Sequence, residues 1–184
     1  MRRRPSGVSA MADPGPSSTG ALLAVEVVCR AEIWERIAGS HTALSAAARA
    51  AFAAAPARQE SREVTLVLTD DREMRTLNRT WRGKDSATNV LSFPAGESPS
   101  TMPGELRPLG DVVLAAETVC AEARDRGIPV ADHAAHLIVH GTLHLLGFDH
   151  ETDAEAERME AVETKVLAGL GIADPYAADA EVMP

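Results

Sequence analysis

Apolar residues alternate with polar ones, or form short runs, in four stretches of the chain, and this pattern predicts four β-strands. The clearest stretch runs from Glu63 to Leu68, where Val64, Leu66 and Leu68 would share one face. The other stretches are rich in valine and leucine, and a proline follows one of them and would end it. The predicted strands are Leu22–Cys29, Glu63–Leu68, Thr88–Phe93 and Leu109–Leu114.

Between and after these strands, other segments are predicted to be helices from their apolar spacing, alanine content and end signals. Four of the five start near a residue whose side-chain oxygen can accept a backbone N–H, and Thr152 with Glu155 predicts a capping box. Gly127 is the predicted C′ residue that ends one helix. The predicted N-caps are Ser40, Thr69 or Asp70, Asp132 and Thr152. The predicted helices are Ser40–Ala54, Asp70–Arg79, Ala115–Arg126, Asp132–Leu146 and Thr152–Leu170.

The order of these elements predicts an α+β fold, in which a mixed sheet of about four strands is covered by about five helices. The predicted single domain spans residues 21–176. Residues 1–20 are rich in Pro, Gly and Ser and predict a disordered N-terminal tail, with Met11 as an alternative start. Their arginine and serine content leaves an organelle transit peptide as the alternative. Residues 177–184 are expected to form a C-terminal tail.

Composition and charge exclude several classes of function. The chain has 184 residues and a formal charge of −9, most of it carried by residues 151–184. This acidic balance argues against nucleic-acid binding by overall charge, but it is compatible with a local basic site. Aromatic residues make up only 3% of the chain, which argues against a broad base-stacking surface. No apolar run reaches the roughly 18 residues that a membrane span needs, so we expect no membrane association.

The two cysteines, Cys29 and Cys120, are far apart and form no closely spaced pair. We expect two reduced, buried thiols in a cytoplasmic protein, because the N-terminus lacks the apolar stretch of a signal peptide. A disulfide between the two cysteines is the alternative.

Five of the six histidines lie between positions 133 and 150. His140 and His144 are one helical turn apart, so both rings leave the same face and can bind one metal ion. Gly147 can adopt the left-handed conformation that ends the helix and returns His150 as a third ligand. Three protein ligands leave a fourth position for water, which is typical of catalytic zinc sites. We therefore predict one Zn²⁺ per chain at the end of a central helix.

The remaining polar residues near this segment have weaker signals. His136 lies one turn upstream, and we expect it to orient a ligand or to contact substrate. His133 and His41 are predicted to face solvent, and Asp149 is expected to cap a turn rather than act as a general base. The acidic run between positions 151 and 163 is predicted to be the solvated face of the last helix. Its buried stripe comprises Met159, Val162, Val166 and Leu167.

The histidine spacing invites comparison with the metzincin proteases, whose motif is HExxHxxGxxH. The corresponding segment is HGTLHLLGFDH, in which the three histidines and the glycine coincide. Gly141, however, stands where those proteases have the glutamate that takes a proton from water. Because glycine cannot do this, the sequence argues against proteolysis.

Several segments together resemble the YbeY family of bacterial metal-dependent endoribonucleases. The histidine segment matches the signature of that family, and the resemblance extends in order over about residues 22–176. The other matching segments are LNRTWRGKDSATNVLSFP, which is Leu77–Pro94; LGDVVL, which is Leu109–Leu114; and ERMEAVETKVLAGLGIADPY, which is Glu157–Tyr176. Several matching segments in the same order are far more specific than one motif.

The resemblance implies the α+β fold of that family, with His140, His144 and His150 as zinc ligands and Arg82 as the functional cation of the cleft. It implies cleavage of single-stranded RNA, 3′-end maturation of 16S ribosomal RNA and a role in ribosome quality control. The implied partners are this RNA and the small ribosomal subunit with its proteins. DNA is not an implied partner. Phe148 replaces a common tyrosine and Ala87 a common proline, so we give Phe148 no polar role.

Chemistry alone leaves alternatives to these assignments. The Arg82 guanidinium can donate two hydrogen bonds to a phosphate, but a surface ion pair with Asp85 is the alternative. Neighbouring basic residues could extend an RNA-binding rim or belong to a solvated helix face: Arg72, Arg75, Arg79 and Lys84. A metallopeptidase or other zinc hydrolase stays open as a function, as does a ribosome-associated binding factor whose zinc mainly stabilises the fold.

Overall fold

The computed structural model describes residues 21–37, 41–55, 60–96 and 106–177. Both predicted tails, apart from residue 177, and the predicted N-cap Ser40 lie outside the described residues. The strands of the described part are β1 (Leu23–Cys29), β2 (Arg62–Thr69), β3 (Val90–Pro94) and β4 (Arg107–Ala115). They form one sheet in the order β1-β2-β4-β3. The first three strands in this order are parallel, whereas β3 runs antiparallel to β4 at the edge. The predicted mixed four-stranded sheet is therefore confirmed.

The described residues contain six helices, one more than the five predicted. The additional helix has five residues and is too short to show helical periodicity in the sequence. Its Trp34 is buried and donates a hydrogen bond from Nε1 to the carbonyl oxygen of Thr69, at 2.8 Å. No helix of the described part has the length and apolar character that a bilayer crossing requires. The helices are α1 (Ile33–Ile37), α2 (His41–Ala54), α3 (Asp71–Arg82), α4 (Ala116–Asp125), α5 (Val130–Leu145) and α6 (Asp153–Gly169).

The two faces of the sheet bury different helices because strand residues alternate between them. Leu66 and Leu68 of β2 belong to the larger core, in which α2 and α6 pack against the central helix α5. Val67 points the other way and packs with Met74 of α3 in a smaller core. The predicted fold class is confirmed, with α5 at the centre of the larger layer.

The helix ends follow the predicted chemistry at two of three testable N-caps. Asp70, rather than Thr69, caps α3 by accepting a hydrogen bond from the Glu73 backbone N–H at 2.8 Å. The capping box of Thr152 and Glu155 is present at α6. Asp132 as the N-cap of α5 is wrong: the helix begins at Val130, after Pro129. Asp132 lies in the first turn instead, where its carboxylate stabilises the helix dipole.

Reciprocal side-chain contacts join the starts of α3 and α4. The Asp71 backbone N–H donates to Glu117 Oε2 at 2.9 Å, and the Asp71 carboxylate accepts the Thr118 backbone N–H at 3.1 Å and its hydroxyl at 2.8 Å. Each helix thus satisfies N–H groups that the other leaves without an intrahelical partner. These contacts fix the direction of α3, which ends at Arg82.

Both cysteines are free, as predicted. They are half-buried, however, so the predicted full burial is wrong for both. Burial raises the pKa of the Cys120 thiol, and the neighbouring Glu117 raises it further. A raised pKa keeps this thiol protonated and unreactive at neutral pH.

Gly141 sets how closely α5 approaches the sheet. A β-carbon there would lie 2.7 Å from Cγ1 of Val112 and 2.9 Å from the Ser92 hydroxyl oxygen. The Ser92 hydroxyl also donates to the Gly141 carbonyl oxygen at 3.1 Å. The position where a metzincin has glutamate therefore faces packed strands and has no room for a side chain.

Replacing Gly141 with alanine should lower the free energy of unfolding by about 1–3 kcal/mol, because the added methyl overpacks this contact. Urea denaturation would measure the change. Gly169→Ala is the matched control, since nothing lies within 4 Å of a β-carbon at that helical position. The control should leave stability unchanged or raise it. Equal stability of Gly141→Ala and the wild type would contradict the close packing of α5 against β3 and β4.

Candidate metal centre

Three histidines converge at the C-terminal end of α5. His140 and His144 lie on its last two turns, and His150 follows the helix in the chain. Each offers one ring nitrogen, and these three nitrogens lie within 4.8 Å of one another. A set of three imidazole nitrogens at this spacing can bind one metal ion. The structure thus brings together the three histidines that the sequence singled out.

The turn after α5 returns His150 to the helix. The Phe148 backbone N–H donates to the Leu143 carbonyl at 3.1 Å, and the Gly147 N–H donates to the His144 carbonyl at 2.9 Å. These two bonds form a Schellman motif, which requires a left-handed residue at its C′ position. Gly147 has φ of 88° and fills that position. The predicted role of Gly147 is confirmed.

Hydrogen bonds to the far ring nitrogens determine which histidine nitrogens carry lone pairs. The Nδ1 of His140 donates to Glu163 Oε1 at 2.8 Å, and the Nδ1 of His144 donates to the Phe148 carbonyl at 3.1 Å. Both acceptors lack protons, so the neutral rings keep a lone pair on Nε2. The two Nε2 atoms face each other at 3.0 Å. Two lone pairs at this distance repel each other unless a cation or a proton lies between them, so the donor set fits a metal ion.

Burial lowers the pKa of His144, and the neighbouring His140 lowers it further. Its imidazole is therefore neutral at pH 7, which is the form that binds metal. This favours a cation other than the proton at the paired Nε2 atoms.

Glu163 is the main residue that sequence reasoning missed. Its carboxylate is fully buried on α6 and accepts hydrogen bonds from His140 Nδ1, from His136 Nε2 at 3.1 Å and from the Tyr176 hydroxyl. Burial raises the pKa of Glu163, but the bonds from His136, His140 and Tyr176 outweigh it and lower the pKa to about 2. A glutamate within the buried stripe that contains Met159, Val166 and Leu167 was the available signal. The predicted solvated acidic face is wrong at this position.

The other two histidines of α5 hold the helices together. His136 contacts Glu163, in agreement with its expected place beside the ligands, and its Nδ1 has no hydrogen-bond partner in the described part of the chain. His133 is buried and lies 2.7 Å from Glu122 Oε2 of α4, so the prediction that it faces solvent is wrong. Burial lowers the pKa of His133 despite the bond to Glu122. His41 is exposed, as predicted.

A cleft opens between these histidines and β3, the edge strand of the sheet in the described part of the chain. Arg82 and Lys84 line this cleft together with His140 and His144. The Arg82 side chain has no ion pair or hydrogen bond with any described residue. Asp85 instead accepts two bonds from Arg75, at 2.8 and 2.9 Å, so the alternative pairing of Arg82 with Asp85 is wrong. The Arg82 guanidinium is therefore available to an anion in the cleft.

The basic residues around Arg82 divide into two groups. Lys84 shares the cleft with Arg82, whereas Arg72, Arg75 and Arg79 line a separate shallow hollow on α3 that also contains acidic residues. The hydrogen bond from Arg75 lowers the pKa of the Asp85 carboxyl. Asp149 accepts the His150 backbone N–H at 2.8 Å, which matches its expected capping role. Among the described residues, the carboxylates that line the cleft are Asp149 and Glu151.

Glu163→Gln should lower the free energy of unfolding of the metal-free protein by about 2 kcal/mol at neutral pH, because it weakens three bonds to a buried carboxylate. The folded-state pKa of about 2 lies below the unfolded value of 4.5. Ionised Glu163 thus stabilises the fold above pH 4.5, and this stabilisation is lost as the pH falls towards 2. Urea denaturation from pH 7 to pH 3 should show the wild type and the variant converging in acid. A constant difference would contradict the proposed ionised state.

The sequence is similar to a family of known proteins over most of its length. Residues 33–171 match the family model described as Endoribonuclease YbeY. A protein of this name from Azorhizobium caulinodans is 51% identical over 158 residues, covering 85% of this chain and 98% of the relative. Another from Paramagnetospirillum magneticum is 57% identical over 116 residues, covering 62% of this chain and 71% of the relative. The solution structure of a Thermotoga maritima protein covers 82% of this chain and 97% of its own, with 20% identity and a TM-score of 0.49.

Proposed function

The chain belongs to the endoribonuclease YbeY family, and from this membership we propose that it is a zinc-dependent endoribonuclease that cleaves single-stranded RNA. The proposed substrate is the 3′ end of 16S ribosomal RNA, and the proposed roles are its maturation and ribosome quality control. One arrangement carries the proposal: two imidazoles whose Nε2 atoms face each other line the same cleft as a guanidinium that has no partner among the described residues.

The proposed cofactor is one Zn²⁺ held by His140, His144 and His150. Neutral imidazoles are good ligands for zinc, although nickel, copper or cobalt can also occupy such sites in vitro. Glu163 and the Phe148 carbonyl orient two of the rings by accepting their Nδ1 protons. When bound, zinc supplies positive charge to phosphate oxygens and lowers the pKa of water.

Arg82 is the proposed catalytic cation. Its planar guanidinium can donate two parallel hydrogen bonds to the non-bridging oxygens of a phosphate and stabilise the charge that builds up there during cleavage. Lys84 adds a second positive charge in the same cleft. Residues of β3 line the cleft beside these cations, so the RNA backbone would cross the edge of the sheet.

The proposed setting is the cytoplasm, with the small ribosomal subunit and its proteins as partners. The support from this chain is the acidic C-terminal part, where residues 151–184 carry most of the formal charge of −9. Such a surface is complementary to basic ribosomal proteins. The same charge repels RNA phosphates and would confine RNA to the cleft with Arg82.

The test is cleavage of a labelled RNA that spans the 3′ end of 16S ribosomal RNA. We expect the zinc-loaded protein to cleave it, a chelator to stop cleavage, and excess zinc to restore it. Cleavage that is indifferent to chelation would overturn the metal-dependent mechanism. A large fall in melting temperature on metal removal, with no cleavage under any condition, would instead support a binding factor with a structural zinc.

A further inference from the structure

Trp81 exposes a large aromatic side chain next to the cleft. The Trp81 side chain has a relative exposure of 67%. It lies in the last turn of α3, after the buried Asn78 and directly before the exposed Arg82. The other large apolar residues exposed in the described part, Leu22 and Leu106, lie at or next to the end of a described range. Trp81 lies within a continuous described segment, so its exposure is a property of the folded helix end. An indole in this position is available to a ligand.

Among the described residues, Trp81 has one ring contact, which leaves most of the indole uncovered. It meets Phe93 of β3 edge-on, with ring centroids 6.0 Å apart and an interplanar angle of 66°. Phe93 packs against the smaller core, while its neighbours Ser92 and Pro94 line the cleft. Strand residues alternate between faces, so Phe93 lies on the face of the smaller core rather than in the cleft. The contact therefore places the indole at the β3 edge of the sheet, next in the chain to the cleft residue Arg82.

The residues around Trp81 suit a single-stranded nucleic acid. Arg82 follows it directly and Lys84 comes two residues later, and both face the cleft with His140 and His144. Single-stranded RNA presents phosphates and unstacked bases in alternation, and proteins bind it with cations beside aromatic rings. An aromatic ring next to two cations matches this alternation.

We propose that Trp81 stacks on an unpaired base of the RNA strand whose phosphates bind Arg82 and Lys84. This inference rests on the proposed function and adds a base-binding position to it. A paired base is already stacked on both sides, so this contact favours single-stranded over duplex RNA. The low aromatic content of the chain argues against a continuous stacking surface, but it is compatible with a single stacking position.

Three variants distinguish a Trp81 that stacks on a base from a Trp81 that only shields Phe93 from solvent. Trp81→Phe keeps a flat ring, Trp81→Leu keeps an apolar cover without a flat face, and Trp81→Ala removes both. The ligand is a short unstructured RNA made resistant to cleavage by 2′-O-methyl riboses and phosphorothioate linkages, mixed with the zinc-loaded protein. Affinity is measured by anisotropy at several salt concentrations, and a gel confirms that the RNA stays intact.

We expect Trp81→Leu and Trp81→Ala to bind this RNA about tenfold more weakly, and Trp81→Phe to retain most of the affinity. The salt dependence of binding should not change, because no phosphate contact is lost. Lys84→Ala is the matched control: it should reduce the slope of log K against log salt by about 0.7. Melting temperatures establish that each variant is folded.

Tryptophan fluorescence gives a direct readout of the same contact. The chain has two tryptophans, Trp34 and Trp81, and Trp34 is only 1% exposed. A base stacked on Trp81 should quench the solvent-exposed part of the emission, and this quenching should be absent in Trp81→Phe. Duplex RNA of the same sequence should quench much less.

Tight binding by Trp81→Leu without quenching in the wild type would overturn the inference and assign Trp81 to covering Phe93. If the wild type still cleaves ribosomal RNA in that case, the proposed function stands and only the stacking position falls. If RNA binding depends on Trp81 but nothing is cleaved, the stacking position stands and the nuclease function falls. No RNA binding by any variant, with no cleavage, overturns both.

Discussion

His144→Ala should reduce RNA cleavage about a thousandfold or more, to the level of the buffer control. The substitution removes one of two Nε2 lone pairs that face each other at 3.0 Å and leaves two of the three histidines that could hold a metal. Without a metal, the site would have neither the charge for phosphate oxygens nor a water of lowered pKa. Product formation from labelled RNA and bound metal per chain should fall together.

The matched control for this variant is His41→Ala. His41 is exposed at the start of α2 and belongs to no described cluster, so its removal should leave both cleavage and bound metal at wild-type values. All proteins would be purified identically. Equal cleavage by wild type and His144→Ala would attribute the activity to a contaminating ribonuclease and contradict the prediction.

Arg82→Ala should lower the rate of cleavage about 10²–10³-fold, the usual cost of removing one preorganised group that stabilises developing charge. The amount of bound metal should not change, because Arg82 forms no hydrogen bond or ion pair with the three histidines in the described part of the chain. Arg82→Lys should restore only part of the rate, since an ammonium cannot donate two parallel bonds to a phosphate.

Single-turnover rates at saturating RNA, together with the amount of bound metal, check the Arg82 prediction. Arg158→Ala provides the control, because it removes an exposed arginine of α6. Among the described residues, the Arg158 side chain has one hydrogen-bond partner, the Ala154 carbonyl of the same helix. A wild-type rate for Arg82→Ala would remove Arg82 from the reaction. Loss of metal together with activity would instead assign Arg82 to the integrity of the site.

The parts of the site that depend on local geometry could be predicted from the sequence. The spacing of His140 and His144 fixes their common face, and the left-handed conformation of Gly147 fixes the turn that returns His150. The capping box at Thr152 is also local, since it joins residues three positions apart. Helical and turn geometry within one short segment is determined largely by residue type and spacing.

The parts that depend on contacts between distant segments could not be predicted. Glu163 reaches His140 across 23 positions, and nothing in the spacing of α6 distinguishes it from the solvated glutamates around it except its place in the apolar stripe. The prediction that His133 faces solvent is wrong for the same reason. Its burial depends on a contact with Glu122, which belongs to another helix. The short helix α1 is stabilised by the tertiary contacts of Trp34 rather than by its own sequence.

The state of Arg82 also required the structure. Sequence proximity suggested an ion pair with Asp85, but the geometry of the turn after α3 directs Asp85 to Arg75. Gly83, with φ of 69°, turns the chain between the end of α3 and Asp85. Which of several nearby arginines pairs with one carboxylate depends on the exact path of the backbone.

All three histidines of the metal centre come from one continuous stretch, between positions 140 and 150. An unfolded chain keeps these ligands close together, so it also has some affinity for the metal. Stabilisation of a fold by a ligand depends on the ratio of its affinities for the folded and unfolded chains. A metal ion would therefore raise the melting temperature less than its affinity for the folded protein suggests. Glu163 orients the His140 ring, and this contact forms only when α6 packs against α5. It therefore raises the metal affinity of the folded chain over that of the unfolded chain.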